Sequence, residues 1–131
     1  LDVEDTAHLL LGFNANFSKR QILASVNLDF IRQDNTRICT VIGKLGSLRW
    51  NGIAGTIELW AMGTKGWREI FRHESSCDDS YIAEWRHLMQ SIKQDSEVMI
   101  TCQDGLKVLR IIEAARISSK TKRQVKIECF N

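Results

Sequence analysis

Several motifs that mark a self-sufficient catalytic site are missing from this sequence. It has no Gly-x-Gly-x-x-Gly or P-loop pattern, so no phosphate cradle is predicted. It has no Gly-x-Ser-x-Gly, and no cysteine and histidine are suggested as a catalytic pair. Proline is absent altogether. We therefore predict that these 131 residues contain no catalytic and no cofactor-binding residue.

Metal sites and disulfide frameworks are not indicated either. The three histidines are scattered without a partner at ligand spacing, so no metal site is predicted. A disulfide framework more often shows tighter cysteine spacing in a smaller chain. No Cys-x-x-Cys pair is formed by the four cysteines, Cys39, Cys77, Cys102 and Cys129. We interpret them as free thiols of a cytoplasmic protein.

Membranes and nucleic acids are not expected as partners. No apolar run approaches the roughly 20 residues of a membrane helix. The first residues are acidic, unlike a signal peptide, and the chain lacks an initiator Met, so we expect a piece of something longer. The net charge of +2 is too weak to argue for nucleic acid. Lys120, Lys122 and Arg123 leave that alternative open, but without an aromatic platform they better suit a helix C-terminus.

The length and composition fit one globular domain over residues 1–131. Apolar residues make up 44% and charged residues 26% of the chain. Apolar residues alternate with period two in the first part of the chain, and turn residues separate the segments, which predicts an antiparallel meander. The predicted strands are 7–13, 22–30, 37–43, 47–51, 56–62 and 67–72.

The hydrophobic period changes to that of a helix after residue 80. An apolar stripe over 81–94 is formed by Tyr81, Trp85, Leu88, Met89 and Ile92. A second helix over 102–118 follows the capping-box pattern of Thr101 and Asp104. Val125, Ile127 and Cys129 predict a last strand. The fold class is therefore α+β, an open and mainly antiparallel sheet with two helices packed on one face.

A polar cluster with forked donors follows the long second strand. It consists of Arg32, Gln33 and Arg37. Arginine suits bidentate contact with a carboxylate or a phosphate, so these residues are candidates for substrate binding. The alternative is a solvated turn or a salt bridge.

The predicted sheet has apolar residues on both faces, and two helices can cover only one of them. The uncovered face is a candidate interface, and its expected residues are Leu23, Trp50 and Trp60. A place in the core is the alternative for any single tryptophan. We expect a homo-oligomer that forms through the open face of the sheet.

An ordered set of short motifs runs through nearly the whole chain. In the second helix, Asp104-Gly105-Leu106 is followed by Ala114-Ala115, a basic turn and Val125-Lys126-Ile127. Upstream stand Tyr81-Ile82-Ala83-Glu84 and the segment 42–50, IGKLGSLRW. The set resembles the C-terminal domain of the glucose–fructose oxidoreductase, inositol dehydrogenase and rhizopine-catabolism family (Gfo/Idh/MocA).

The resemblance implies a longer enzyme that transfers hydride between NAD or NADP and a sugar or cyclitol carbon. An N-terminal Rossmann domain with a catalytic Glu-Lys-Pro segment, and an Asp-x-x-x-His segment, belong to that family pattern. None of these motifs occurs here. The segment 30–34 also departs from the Gln-Arg-Pro that members often carry. The resemblance thus implies a substrate-side and oligomerisation domain, inactive alone. The alternative is a non-enzymatic dimerisation or scaffold module.

The thiol assignment is testable on the chain itself. Titration of the denatured chain under non-reducing conditions is expected to return four free thiols, because three of the cysteines lie in strand or helix segments and the protein is expected to be cytoplasmic. A count of zero or two would show disulfides and contradict the assigned compartment.

Overall fold

The computed structural model describes residues 4–14, 21–74, 76 and 78–127. In these ranges the chain forms six strands followed by two helices. The elements are β1 (Thr6–Asn14), β2 (Gln21–Asp29), β3 (Ile38–Gly43), β4 (Gly46–Asn51), β5 (Thr56–Ala61), β6 (Arg68–Arg72), α1 (Asp79–Gln94) and α2 (Cys102–Thr121).

The strands form two antiparallel sheets. One contains β1 and β2, and the other has the order β3-β4-β5-β6. The chain divides into two compact units, residues 1–29 with 85–131 and residues 30–84, so each sheet belongs to a different unit. The predicted α+β class, with open antiparallel strands and two helices, is confirmed, although the strands are shared between two sheets. The assignment of one domain to residues 1–131 stays a prediction.

The two-stranded sheet is a regular hairpin. Leu9 lies opposite Val26, and Gly12 lies opposite Leu23. His8 Nε2 and Ser25 Oγ are 3.0 Å apart and form a hydrogen bond between the strands. The period-two alternation of these segments therefore corresponds to paired strands, as the sequence predicts.

Two glycines allow the close approaches of the four-stranded sheet. A Cβ at Gly46 would lie 2.5 Å from the carbonyl oxygen of Trp60, so a side chain at this position would separate β4 from β5. Gly55 has a φ of 66°, which favours glycine, and its carbonyl accepts a hydrogen bond of 2.8 Å from the His73 amide. The pairing of β5 with β6 shifts between Ile57 and Glu58, as at a β-bulge.

Side-chain hydrogen bonds lie at the starts of both helices. Helix α1 begins at Asp79, whose carboxylate accepts hydrogen bonds from the Ser76 amide (2.8 Å) and hydroxyl (2.7 Å). Helix α2 has the predicted capping box: Thr101 Oγ1 accepts from the Asp104 amide, and the Asp104 carboxylate accepts from the Thr101 amide. Its end lies three residues beyond the predicted one, because Lys122 ends the helix in the left-handed conformation with a φ of 56°.

The connection between the helices is tied back to α1. The Met99 amide donates a hydrogen bond of 2.9 Å to His87 Nε2. The Ser96 amide donates one of 3.0 Å to the carbonyl oxygen of Ser91. These bonds satisfy polar groups close to the C-terminus of α1, where helix carbonyls lose their partners in the helix.

The predicted last strand is wrong over residues 124–127, which form no strand. A strand needs a neighbour for its backbone donors and acceptors. Val125, Lys126 and Ile127 instead line a pocket of about 260 Å³ together with residues of α2. Cys129, the last residue of that prediction, lies outside the described residues.

Few side chains are removed from solvent. Among the described residues only Thr56 and Ser91 are buried, and no apolar side chain is. Large apolar side chains on strands and helices remain exposed in both units, which marks surfaces that suit a partner. No described helix is both long and apolar enough to span a bilayer.

Removing the α2 cap should destabilise the protein. Thr101→Ala is expected to lower the free energy of unfolding by about 1 kcal/mol, because the Asp104 amide loses its side-chain acceptor. Thr121→Ala is the matched control, since its hydroxyl bonds to the Ile117 carbonyl within the helix, and it should change stability little. Urea unfolding followed by circular dichroism measures both. Equal losses would exclude capping as the cause.

Candidate functional site

The guanidinium of Arg32 is occupied within its own loop. It forms two hydrogen bonds with Asp34, one of them 2.7 Å from Nη2 to Oδ2. The Thr36 hydroxyl donates a further bond of 3.0 Å to the same carboxylate. The Arg32 bonds, and then that of Thr36, lower the pKa of Asp34 to about 2, so the carboxylate stays ionised near neutral pH.

The three candidate substrate-binding residues do not form one cluster of free donors. Gln33 donates a hydrogen bond of 3.2 Å from Nε2 to the Ile31 carbonyl, so it also bonds within the loop. Arg37 lies directly before β3, and its backbone carbonyl accepts a bond of 2.8 Å from the Gly52 amide. In the part of the chain that the structure describes, no acidic side chain pairs with the Arg37 guanidinium.

A pocket of about 180 Å³ lies where the segment before β3 meets the turn after β4. Its lining residues are Asn35, Thr36, Arg37, Ile38, Asn51, Ile53 and Ala54. Arg37 is the charged member of this lining, and the other polar members are neutral. The pocket therefore combines a cation with amide and hydroxyl groups, a combination that suits an anion or a polyol.

The turn beside this pocket is fixed by Asn51 and Gly52. Asn51 Oδ1 accepts hydrogen bonds of 3.0 Å from both the Ile53 and the Ala54 amides. A Cβ at Gly52 would lie 2.8 Å from Cδ of Arg37 and 2.6 Å from the Trp50 ring. The glycine thus leaves the space in which the aliphatic part of Arg37 lies.

The register of the four-stranded sheet separates its two faces. Directly paired residues share a face, and neighbours along a strand alternate. The apolar face consists of Cys39, Val41, Leu48, Trp50, Ile57, Leu59 and Phe71, and it also carries Arg68 opposite Leu59. The polar face consists of Thr40, Ser47, Arg49, Asn51, Thr56 and Glu58, and it also carries the apolar side chains of Ile38, Ile42 and Trp60.

A charged and aromatic cluster stands on the polar face. Arg49 lies opposite Glu58 in the register and donates a hydrogen bond of 2.8 Å from Nε to its carboxylate, which raises the pKa of Arg49. The Arg49 guanidinium also lies 4.5 Å from the ring centre of Trp67, a cation–π contact. The rings of Trp60 and Trp67 meet edge to face, with centroids 5.9 Å apart.

Sequence reasoning missed the cluster of Arg49, Glu58, Trp60 and Trp67. The alternation of β4 and β5 was visible, but the register that sets Arg49 opposite Glu58 depends on the turn between them. The alternation itself was a usable signal. Two tryptophans and an ion pair can contact one another only if they lie on the same face of the sheet. Because Arg49 and Glu58 pair with each other, the cluster acts chiefly to hold the sheet together.

The expected interface residues lie in different places. Trp50 and Trp60 are on opposite faces of the four-stranded sheet, so one flat surface can include only one of them. Leu23 belongs to β2 in the other sheet, and its side chain is 64% exposed. Trp50 shares the apolar face with exposed neighbours, which makes it the better candidate of the two tryptophans.

The described residues do not fit a dinucleotide cradle. Their strand pairings are all antiparallel, and no glycine-rich turn leads from a strand into a helix. Within the same residues no group of three or more histidine, cysteine or acidic side chains is placed to hold a metal ion. Cys39 and Cys102 are free, whereas Cys77 and Cys129 lie outside the described residues.

The chain matches the family described as "Oxidoreductase family, C-terminal alpha/beta domain" over residues 1–127. It is 40% identical over 53 residues to scyllo-inositol 2-dehydrogenase (NADP(+)) IolW of Bacillus subtilis (strain 168). That alignment covers 40% of this chain and 15% of the length of the relative. No solved structure matches. Because the family match spans nearly all of the sequence, the chain belongs to this oxidoreductase family as its C-terminal alpha/beta domain.

Proposed function

We propose that the chain is the substrate-side and oligomerisation domain of an NAD(P)-dependent oxidoreductase acting on a sugar, a cyclitol or a sugar derivative. The observation that carries the proposal is the family match over residues 1–127. The partial relative is named as a dehydrogenase of scyllo-inositol that uses NADP(+), which supports both the reaction class and the polyol substrate. We place the whole protein in the cytoplasm.

The cofactor in this proposal is bound outside the described residues. These residues lack a glycine-rich turn at the start of a helix, where a dinucleotide pyrophosphate is usually held. An N-terminal Rossmann domain of the same protein would hold NAD or NADP and supply the hydride chemistry. The present chain is then inactive alone.

The contribution of this chain to a substrate pocket is proposed to come from the segment that holds Arg32, Gln33 and Arg37. Arg32 and Gln33 already bond to neighbours in the loop. Arg37 has no acidic partner among the described residues and lines a pocket. Of the three, Arg37 is therefore best placed to contact a ligand, and Arg32 orders the loop beside it.

The activity is tested by comparing the chain alone with the whole gene product that contains it. We expect no saturable binding of NAD(H) or NADP(H) by the 131-residue chain, measured by calorimetry. The whole gene product should bind one of them and reduce it with a polyol such as scyllo-inositol or with an acidic sugar such as glucose 6-phosphate, followed by nicotinamide absorbance. A whole protein that binds neither dinucleotide would refute the proposal in favour of a scaffold module.

The oligomerisation part of the proposal depends on the apolar face. Val41 is 60% exposed, Phe71 54%, Trp50 43% and Leu48 42%. The opposite face carries the Arg49–Glu58 pair and is the more polar of the two, although Ile38 and Ile42 also lie on it. A stable dimer buries roughly 800 Å² on each partner, and a two-fold axis lets one face cover its own copy. The apolar face is therefore the surface we propose for pairing.

A charge on the apolar face should weaken the oligomer. Leu48 is 42% exposed, so burial of the exposed part contributes about 0.6–1.3 kcal/mol, and a two-fold dimer loses it twice. Leu48→Lys is therefore expected to raise the dissociation constant roughly tenfold or more, as measured by sedimentation equilibrium. Ser47→Lys is the matched control, because it adds the same charge to the neighbouring position on the polar face.

A third variant tests which of the two sheets forms the contact between copies. Leu23→Lys on β2 reports whether the exposed hairpin, rather than the apolar face, carries the contact. Dissociation by Leu23→Lys alone would move the interface to β1 and β2. A wild-type chain that is monomeric at every concentration would contradict the oligomer, as would equal dissociation by Leu48→Lys and Ser47→Lys.

A further inference from the structure

The lining of the pocket beside Arg37 contains a positive charge and no negative charge. Arg37 is the charged residue in its lining, and the remaining lining residues are neutral. The nearest acidic residue along the chain, Asp34, has its carboxylate bonded to Arg32 and Thr36. Arg37 therefore has no acidic partner among the described residues, and Asp34 is engaged elsewhere.

The position of Arg37 is also restricted before any ligand arrives. Its carbonyl is bonded to the Gly52 amide at 2.8 Å, and its Cδ occupies the space that a Cβ at Gly52 would fill. Asn51 holds the same turn through the Ile53 and Ala54 amides. An arginine that is held in place loses less side-chain freedom when it binds, so it favours a ligand with matching geometry.

The pocket is small and open to solvent. Its volume is about 180 Å³. That space accepts an oxyanion with a few attached carbons. The side-chain amides of Asn35 and Asn51 line the same space and can donate to further oxygens of the ligand, whereas the Thr36 hydroxyl already donates to Asp34.

We propose that this pocket is a binding site for a small oxyanion group, a carboxylate or a phosphate, that Arg37 recognises. This proposal deepens the proposed function and rests on it in one respect, that the ligand is a substrate. Anion binding by the pocket does not depend on the proposed function. The proposal implies that the substrate carries an acidic group, as an acidic sugar derivative or a sugar phosphate does.

Binding is tested by nuclear magnetic resonance titration of the 131-residue chain. Orthophosphate and acetate are the simple probes, and glucuronate, glucose 6-phosphate and glucose form a matched set that differs in the charged group. We expect saturable shifts of the amides of residues 35–38 and 51–54 with an acidic ligand and none with glucose. Stronger binding of glucuronate identifies a carboxylate site, and stronger binding of glucose 6-phosphate a phosphate site.

Substitutions connect the binding to Arg37. Arg37→Gln should weaken it roughly tenfold to a hundredfold, because a charge-assisted bidentate contact is lost. Arg37→Lys keeps the positive charge but loses the paired donors of the guanidinium. Its affinity should lie between that of the wild type and that of Arg37→Gln. Gly52→Ala leaves the net charge unchanged but displaces Arg37, and should also weaken binding.

The matched control is Arg68→Gln, which removes the same charge from an exposed position on β6, outside the pocket lining. Equal weakening by Arg68→Gln and Arg37→Gln would overturn the proposal, as would equal shifts with glucose or the absence of saturable binding. Failure of hydride transfer by the whole gene product would instead count against the proposed function, so the two results can be told apart.

Discussion

The pairing of β4 with β5 is the constraint on which the four-stranded sheet depends. This register puts Arg49 opposite Glu58 on one face and Trp50 opposite Ile57 on the other. A slip of one residue would turn the charged pair towards the apolar side chains, which is costly for both. The close approach that Gly46 allows and the contacts of Trp67 with Arg49 and Trp60 favour the same alignment.

Local patterns of the sequence predict the elements well, but not their assembly. Strand ends agree with the predicted ends within one residue, and the capping box of Thr101 and Asp104 marks the start of α2 correctly. The strand ends and the capping box both depend on residues that are close to each other in the sequence. The division of the strands between two sheets and the meeting of Trp60 with Trp67 depend on pairing between segments, which periodicity does not encode. The last strand failed for the same reason, since no strand among the described residues pairs with residues 124–127.

The candidate site illustrates the same division between local and distant information. That Arg32 would be occupied by Asp34 could be suspected from their spacing of two residues. That Arg37 would lie over Gly52 could not, because the turn after β4 approaches it only in the folded sheet. Membership of the oxidoreductase family assigns the chain to a C-terminal domain. Within that domain, the turn of this chain has one arginine without an acidic partner among the described residues beside another that is paired with Asp34.

The exposed apolar face also has a consequence for the life of the protein in the cell. Chaperones and proteases recognise unfolded chains by exposed apolar surface, and a sheet whose Val41, Leu48 and Phe71 stay uncovered presents the same signal although it is folded. In the oligomer that we propose, this face is covered, so a newly made copy would differ from an assembled one by its surface alone. The abundance of the protein would then depend on how quickly each copy buries this face against a partner. Chaperones and proteases would remove the copies that stay unpaired.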